Sequence, residues 1–149
     1  MKKNLFAFLD RDGVINKCTI NNGYIGKISD FKFMNGALEA IKLIKSNGYK
    51  VVVVTNQSGV ARGYFKYRDV QKIHAYIQKR LKKFNTRIDA FYFCPYHIDG
   101  IIKKYTKNSK LRKPDNGMFK LAKKRFNINV EKSFMIGDQT SDKLFAKKT

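Results

Sequence analysis

The chain alternates between short unbroken apolar runs and longer stretches in which apolar residues recur every three or four positions. Leu5–Leu9 is an apolar run that ends abruptly at Asp10. Residues 36–47 place Ala37, Leu38, Ile41 and Ile44 on one helical face and stop at Gly48. Four consecutive valines follow at 51–54, which suits a parallel strand covered on both faces. The spacing of Val70, Ile73, Ile77, Leu81 and Phe84 predicts a helix over 66–84. Residues 88–94 read as a strand and 115–126 as a helix with Pro114 at or just before its first turn. Residues 133–136 form a last short strand before Gly137 and Asp138. Strands alternating with helices predict an α/β fold with a doubly wound parallel sheet.

In such a sheet, ligands bind beyond the carboxyl ends of the strands. Three polar clusters fall there: Asp10 with Asp12, the run Thr55-Asn56-Gln57-Ser58, and Asp138 with Asp142. An Asp-Gly turn after a strand is by itself as readily a solvated loop. The topology, however, gathers four carboxylates from distant segments onto one rim. Their mutual repulsion calls for a shared cation, and carboxylate oxygens suit Mg²⁺. A carboxylate can also attack phosphorus, and a second one two residues on can serve as an acid at the leaving oxygen. A hydroxyl, backbone amides and one lysine would bind the equatorial phosphoryl oxygens.

Composition narrows the setting. Hydrophobic residues make up 43% and aromatics 13% of 149 residues, as in a globular domain. No apolar run is long enough to span a membrane, and the start lacks a signal-peptide core. Two cysteines, Cys18 and Cys94, make no disulfide framework, and a cytoplasmic location is expected. The formal charge is +21, yet 25 of the 32 basic residues are lysines spread through nearly every segment. Nucleic-acid recognition favours arginine forks, so nucleic acid is not expected as the main ligand. Cys18 is expected to be a bystander thiol, and His74 a packed or partly exposed residue on the apolar side of its helix.

The stretches DRDGVIN, TNQSGVARGYF, CPYH, RKPDNGMF and IGDQTSD resemble, in order, the motifs of the haloacid dehalogenase-like phosphatases. The likeness is strongest to the D-glycero-D-manno-heptose 1,7-bisphosphate and histidinol-phosphate phosphatase branch, and it runs from Asp10 to Asp142. It implies a Rossmann-like fold with no large cap domain. It also implies Asp10 as nucleophile, Asp12 as general acid and base, and Mg²⁺ held by Asp10, the Asp12 backbone carbonyl and Asp138. Thr55 and Lys113 would hold the phosphoryl group, with Asp142 supporting the lysine or the metal shell. Asn56, Gln57, Ser58, Arg112, Gly23 and Tyr24 would meet the substrate, and Arg62 would contact it or order its loop. The implied activity is heptose bisphosphate 7-phosphatase in surface-glycan precursor synthesis, acting on a small phosphorylated sugar as a monomer. Histidinol-phosphate phosphatase, a basic nucleic-acid-associated phosphatase and an inactive remnant are the alternatives.

The sequence departs from that branch in its zinc loop, in residues 17–22 inserted before Gly23 and Tyr24, and at its end. Relatives often carry a zinc loop written C-P-H and C-x-C-R-K-P. Here Tyr96 follows Cys94-Pro95, and Ser109-Lys110-Leu111 precedes Arg112, so structural zinc is not expected. Residues 95–112 are expected to be held instead by packing of Ile98, Ile101, Ile102, Tyr105 and Leu111. Residues 1–149 read as a single domain ending after the fourth motif, with the C-terminal strand of the family expected to be missing.

Overall fold

The computed structural model describes residues 2–149. Four strands, β1 (Leu5–Leu9), β2 (Tyr49–Asn56), β3 (Ala90–Cys94) and β4 (Phe134–Ile136), form one parallel sheet in the order β3-β2-β1-β4. The helices are α1 (Ala37–Ser46), α2 (Tyr67–Lys83), α3 (Gly117–Arg125) and α4 (Thr140–Lys147). Side chains along a strand alternate between faces, and both faces here are covered. Ala7, Leu9, Val51 and Val53 pack with Leu38 and Ile41 of α1 and Ile73, Ile77 and Leu81 of α2. Phe6, Phe8, Val52 and Val54 pack with Met118, Phe119 and Ala122 of α3 and Phe145 of α4. All four valines are fully buried. Each such side chain stabilises the fold by about 1.5–3 kcal/mol relative to exposure.

The expected helix over 36–47 is trimmed to α1 because Gly36, in the left-handed region at φ 79°, caps its start and Asn47 its end. Likewise Lys66 and Phe84 are the caps of α2, where the Asp69 carboxylate accepts the Lys66 N–H at 2.7 Å. The strand over 88–94 begins two residues late. Gln78 of α2 takes both backbone groups of Ile88, at 2.9 and 2.7 Å, before ladder pairing begins. Residues 115 and 116 are not helical either, and Pro114 lies ahead of the first turn of α3. They belong to a fold-back in which Asp115 N–H donates to Arg112 O and Gly117 N–H to Lys110 O, both at 2.9 Å. That turn delivers Lys113 to the rim.

Residues 95–112 are held differently from the sequence expectation. Ile98 and Ile101 are exposed, while the N–H groups of Ile101 and Ile102 both donate to Ala61 O at 2.8 and 3.0 Å. Tyr105 stacks on Tyr67, and Leu111 packs against the α3 side of the core. β4 pairs only with β1, and Phe134 and Ile136 on one of its faces remain partly exposed. Among the described residues no helix is long and apolar enough to cross a membrane.

Candidate active site

Beyond the paired Leu9 and Val53, β1 and β2 run on into Asp10 and Thr55. Asp10 N–H donates to Ile136 O at 3.0 Å, which brings the loop after β4 alongside. Carboxylate oxygens of Asp10, Asp138 and Asp142 consequently lie within 4.8 Å of one another. Gly13 allows this convergence. It sits at φ +84°, and a Cβ there would overlap the Asp138 carboxylate.

Lys113 is the buried counterion of this cluster. Its ammonium lies 3.2 Å from Asp10 Oδ1 and donates to Asp142 Oδ1. Asp142 Oδ2 meanwhile accepts the Gln139 N–H at 3.2 Å, so the residue both caps α4 and holds the lysine. Asp10 Oδ1 also accepts the Arg11 N–H at 2.7 Å. Oδ2 has no hydrogen-bond partner among the described residues. One oxygen of Asp10 is thus pinned and the other left open.

Asp12 is clamped from three sides. Its Oδ1 accepts Arg11 Nε at 3.1 Å, Arg11 Nη2 at 2.9 Å and Asn16 Nδ2 at 3.0 Å, and its Oδ2 accepts Gln57 Nε2 at 3.1 Å. Arg11 is itself fully buried, with Nη2 also donating to Ile25 O and Nη1 at 3.5 Å from His74 Nε2. His74 stacks on Phe91, and burial followed by the nearby Arg11 charge lowers it to about 3, so the ring stays neutral. The packed reading of His74 holds, and the ring touches Arg11, the guanidinium that grips Asp12.

The remaining candidates divide into two groups. Thr55 and Lys113 are buried at the rim, and Arg112 stands next to Lys113 in the fold-back. Gln57 donates to Thr55 Oγ1 at 3.0 Å as well as to Asp12, so its amide positions rim side chains. Asn56 spends its amide on the main chain of Lys113, accepting the N–H at 2.9 Å and donating to the carbonyl at 3.1 Å. Ser58 closes the turn in which its carbonyl accepts the Arg62 N–H. Gly23 and Tyr24 lie in the loop just ahead of Ile25, whose carbonyl accepts from Arg11 Nη2. Tyr24 packs edge-on against Tyr64 at 4.7 Å, beside a 570 Å³ cavity that also touches Phe65 and Asp69. Sequence reasoning missed Arg11, Asn16 and Gly13 as structural supports, although all three lie inside the stretch it singled out.

The donor set fits a divalent cation. Four carboxylates face two buried or part-buried cationic contacts, Arg11 and Lys113, leaving two negative charges unbalanced. Oxygen ligands from Asp10 and Asp138 with a main-chain carbonyl are what Mg²⁺ accepts. Burial is the largest cause that raises Asp10 to about 6, partly offset by Lys113 and reinforced by Asp142. The proton is therefore held more tightly in the folded than in the unfolded chain. Its contribution to stability is present at low pH and lost as pH rises from about 4 through about 6. A cation needs the ionised form. We expect the rise in melting temperature on adding Mg²⁺ to be small at pH 5 and several degrees larger at pH 7.5. Equal shifts at both pH values would refute this coupling.

A parallel sheet with two aspartates after β1, a threonine near the end of β2, and a lysine and aspartate closing the rim defines a phosphatase of the haloacid dehalogenase type. The chain belongs to the polynucleotide kinase 3 phosphatase family, whose sequence profile matches residues 5–149. It is 40% identical over 147 residues to the D-glycero-beta-D-manno-heptose-1,7-bisphosphate 7-phosphatase of Pasteurella multocida, covering 99% of this chain and 77% of that one. It is 38% identical over 136 residues to the corresponding alpha-anomer enzyme of Photorhabdus laumondii, covering 91% and 73%. The crystal structure of the D,D-heptose 1,7-bisphosphate phosphatase from B. bronchiseptica, complexed with magnesium and phosphate, superposes with a TM-score of 0.84. That match has 28% identity and covers 97% of this chain and 75% of that one.

Proposed function

We propose that this phosphatase removes the 7-phosphate from D-glycero-D-manno-heptose 1,7-bisphosphate, as a cytoplasmic monomer in surface-glycan precursor synthesis. The two anomer-specific relatives and the magnesium- and phosphate-bound structural neighbour support the substrate class. The observation that carries the mechanism is the asymmetry of Asp10, with Oδ1 tied to Arg11 N–H and Lys113 and Oδ2 unpartnered among the described residues. In the first step Oδ2 bonds to phosphorus as the phosphorus–oxygen bond to the sugar breaks, and Asp12 gives its proton to the leaving oxygen. In the second, Asp12 takes a proton from water as the water oxygen bonds to phosphorus, freeing phosphate and restoring Asp10. Lys113 and Thr55 hold the equatorial oxygens. Mg²⁺ on Asp10, Asp138 and the Asp12 carbonyl would offset the repulsion between phosphate and carboxylate.

A substrate panel with Mg²⁺ tests this reading, run with both heptose anomers, histidinol phosphate and a 3′-phosphorylated oligonucleotide at two salt concentrations. We expect a heptose bisphosphate to exceed the others by about tenfold or more in kcat/KM, one to two well-placed contacts' worth, with little effect of salt. Fastest turnover of histidinol phosphate, or of the oligonucleotide with a steep loss in salt, would overturn it.

We also propose that the chain carries no structural zinc. Cys94 is buried with Sγ directed at Tyr96 O, and His97 faces Arg62 and Asp99. A tetrahedral site needs four ligands. Elemental analysis of protein purified without chelator is expected to find well under one zinc per chain. About one zinc per chain would refute this.

A further inference from the structure

Apolar side chains stand out of the surface where the loop after β3 crosses the loop after β2. Ile98 and Ile101 are 64% and 77% exposed, and Tyr64 on the facing loop is 62% exposed. The patch is continuous. Ile101 and Ile102 reach Gly63, where an added Cβ would lie 3.2 and 3.4 Å from their Cδ1 atoms. Ile102 and Tyr105 line a 680 Å³ cavity with Tyr64 and Tyr67, and Tyr67 stacks on Tyr105. Single exposed apolar residues are ordinary, but adjoining ones mark a surface that meets something. The backbone also fixes the loop. The N–H groups of Ile101 and Ile102 both donate to Ala61 O, and this crossing leaves Ile101 facing solvent.

The flanks of this patch are cationic. Lys66 and Arg68 line the same cavity, and Lys103, Lys104 and Lys107 follow Ile102, all of them exposed. Lys104 and Lys107 extend over the rings of Tyr105 and Tyr96, with Nζ 5.5 and 4.3 Å from the centroids. Asp69, the acid in the cavity wall, spends one carboxylate oxygen on the Lys66 N–H. The occupant must therefore offer negative charge and an apolar phase together. A second copy of this chain would set lysines against lysines in a protein of charge +21. A nucleic acid would use open aromatic faces and guanidinium forks. Here Tyr67 stacks on Tyr105, Tyr64 packs against Tyr24, and branched isoleucines present no flat face. Protruding isoleucines, tyrosines and long lysines suit the boundary between lipid headgroups and acyl chains.

We propose that this face docks the protein on an anionic membrane surface. Ile98 and Ile101 enter the headgroup–acyl boundary, and Lys103, Lys104 and Lys107 pair with lipid phosphates. The attachment is peripheral, through loop tips, and requires no membrane-crossing helix. It uses none of the rim side chains, so the inference holds whichever sugar phosphate the rim accepts.

The test is cosedimentation with vesicles of phosphatidylcholine alone and with about 30% phosphatidylglycerol, at about 0.1 M and about 0.5 M salt. Binding is expected to the anionic vesicles at the lower salt, with little to phosphatidylcholine. A chain this basic adsorbs to anionic surfaces in general, so two comparisons isolate the face. Ile98→Ser with Ile101→Ser leaves the charge unchanged and is expected to weaken binding by about tenfold or more, as lost insertion of two large apolar side chains implies. Lys103→Gln, Lys104→Gln and Lys107→Gln together should weaken it by about 10²-fold, at about fivefold per lysine. Removing the same three charges as Lys42→Gln, Lys79→Gln and Lys82→Gln, in the groove between α1 and α2, should weaken it far less. Turnover of a soluble phosphate ester should be unchanged in all these variants and reports their folding. Should the serine pair fold poorly, the two lysine sets decide. Equal losses from the two lysine sets, undiminished binding by the serine pair, or no binding of the wild type to anionic vesicles would each overturn the inference. So would isoleucine-dependent dimerisation in sedimentation velocity, because a second copy would then cover the face.

Discussion

Asp10→Asn is expected to abolish turnover while leaving the fold intact, a loss of about 10⁴-fold or more if Asp10 is the nucleophile. The substitution keeps the size of a buried residue. An amide oxygen can still accept the Arg11 N–H that Oδ1 now takes at 2.7 Å. It also relieves a burial cost, since desolvation is what raises Asp10 to about 6. The metal-free melting temperature should therefore change by only a few degrees, while the shift on adding Mg²⁺ should largely disappear. Asp12→Asn separates the two roles. The nucleophile remains, so phosphoryl transfer to Asp10 continues slowly and phosphorylated protein accumulates. The overall rate should fall by about 10²–10⁴-fold, the usual contribution of a positioned acid. Rapid-quench detection of phosphoprotein with labelled substrate checks this. Near-native turnover by Asp10→Asn would remove the mechanism outright.

The strands and their faces were legible because burial on both sides forces unbroken apolar runs. The valines at 51–54 are the plainest case, alternating between α1–α2 and α3–α4. Helix existence was equally readable from apolar spacing, whereas the ends were not. At Ile88, a side chain from α2 takes the backbone groups that a strand would otherwise use. At Asp115, a fold-back displaces the helix start. The motif residues of the rim were visible as Asp10, Asp12, Asp138 and Asp142, since so few acids occur in so basic a chain. What each polar side chain does with its hydrogen bonds was not visible. Gln57 and Asn56 look from the sequence like residues that meet a ligand, yet their amides bind Asp12, Thr55 and Lys113. The approach of Arg62 to His97 depends on a loop crossing that no local pattern encodes.

Lys113→Met is expected to produce the largest loss of stability of any single rim substitution. The Lys113 side chain is 2% exposed and stands between Asp10 and Asp142, whose side chains are 10% and 3% exposed. Taking away one partner of a buried ion pair leaves uncompensated charge, typically at a cost of about 3–5 kcal/mol. Here two carboxylates would be left facing each other. The effect should be greatest without Mg²⁺, because a bound cation replaces part of the lost positive charge. Lys113→Met with Asp142→Leu removes the second charge and should recover much of the stability, since an apolar pair can replace a buried ionic one at little cost. Recovery will be incomplete, because Asp142 Oδ2 also caps α4 through the Gln139 N–H. Activity should not return in the double variant, as neither side chain can hold a phosphoryl oxygen. Urea unfolding in chelator, run beside turnover of the same proteins, separates the two effects. A double variant no more stable than Lys113→Met would show that the burial of charge is not what Lys113 offsets.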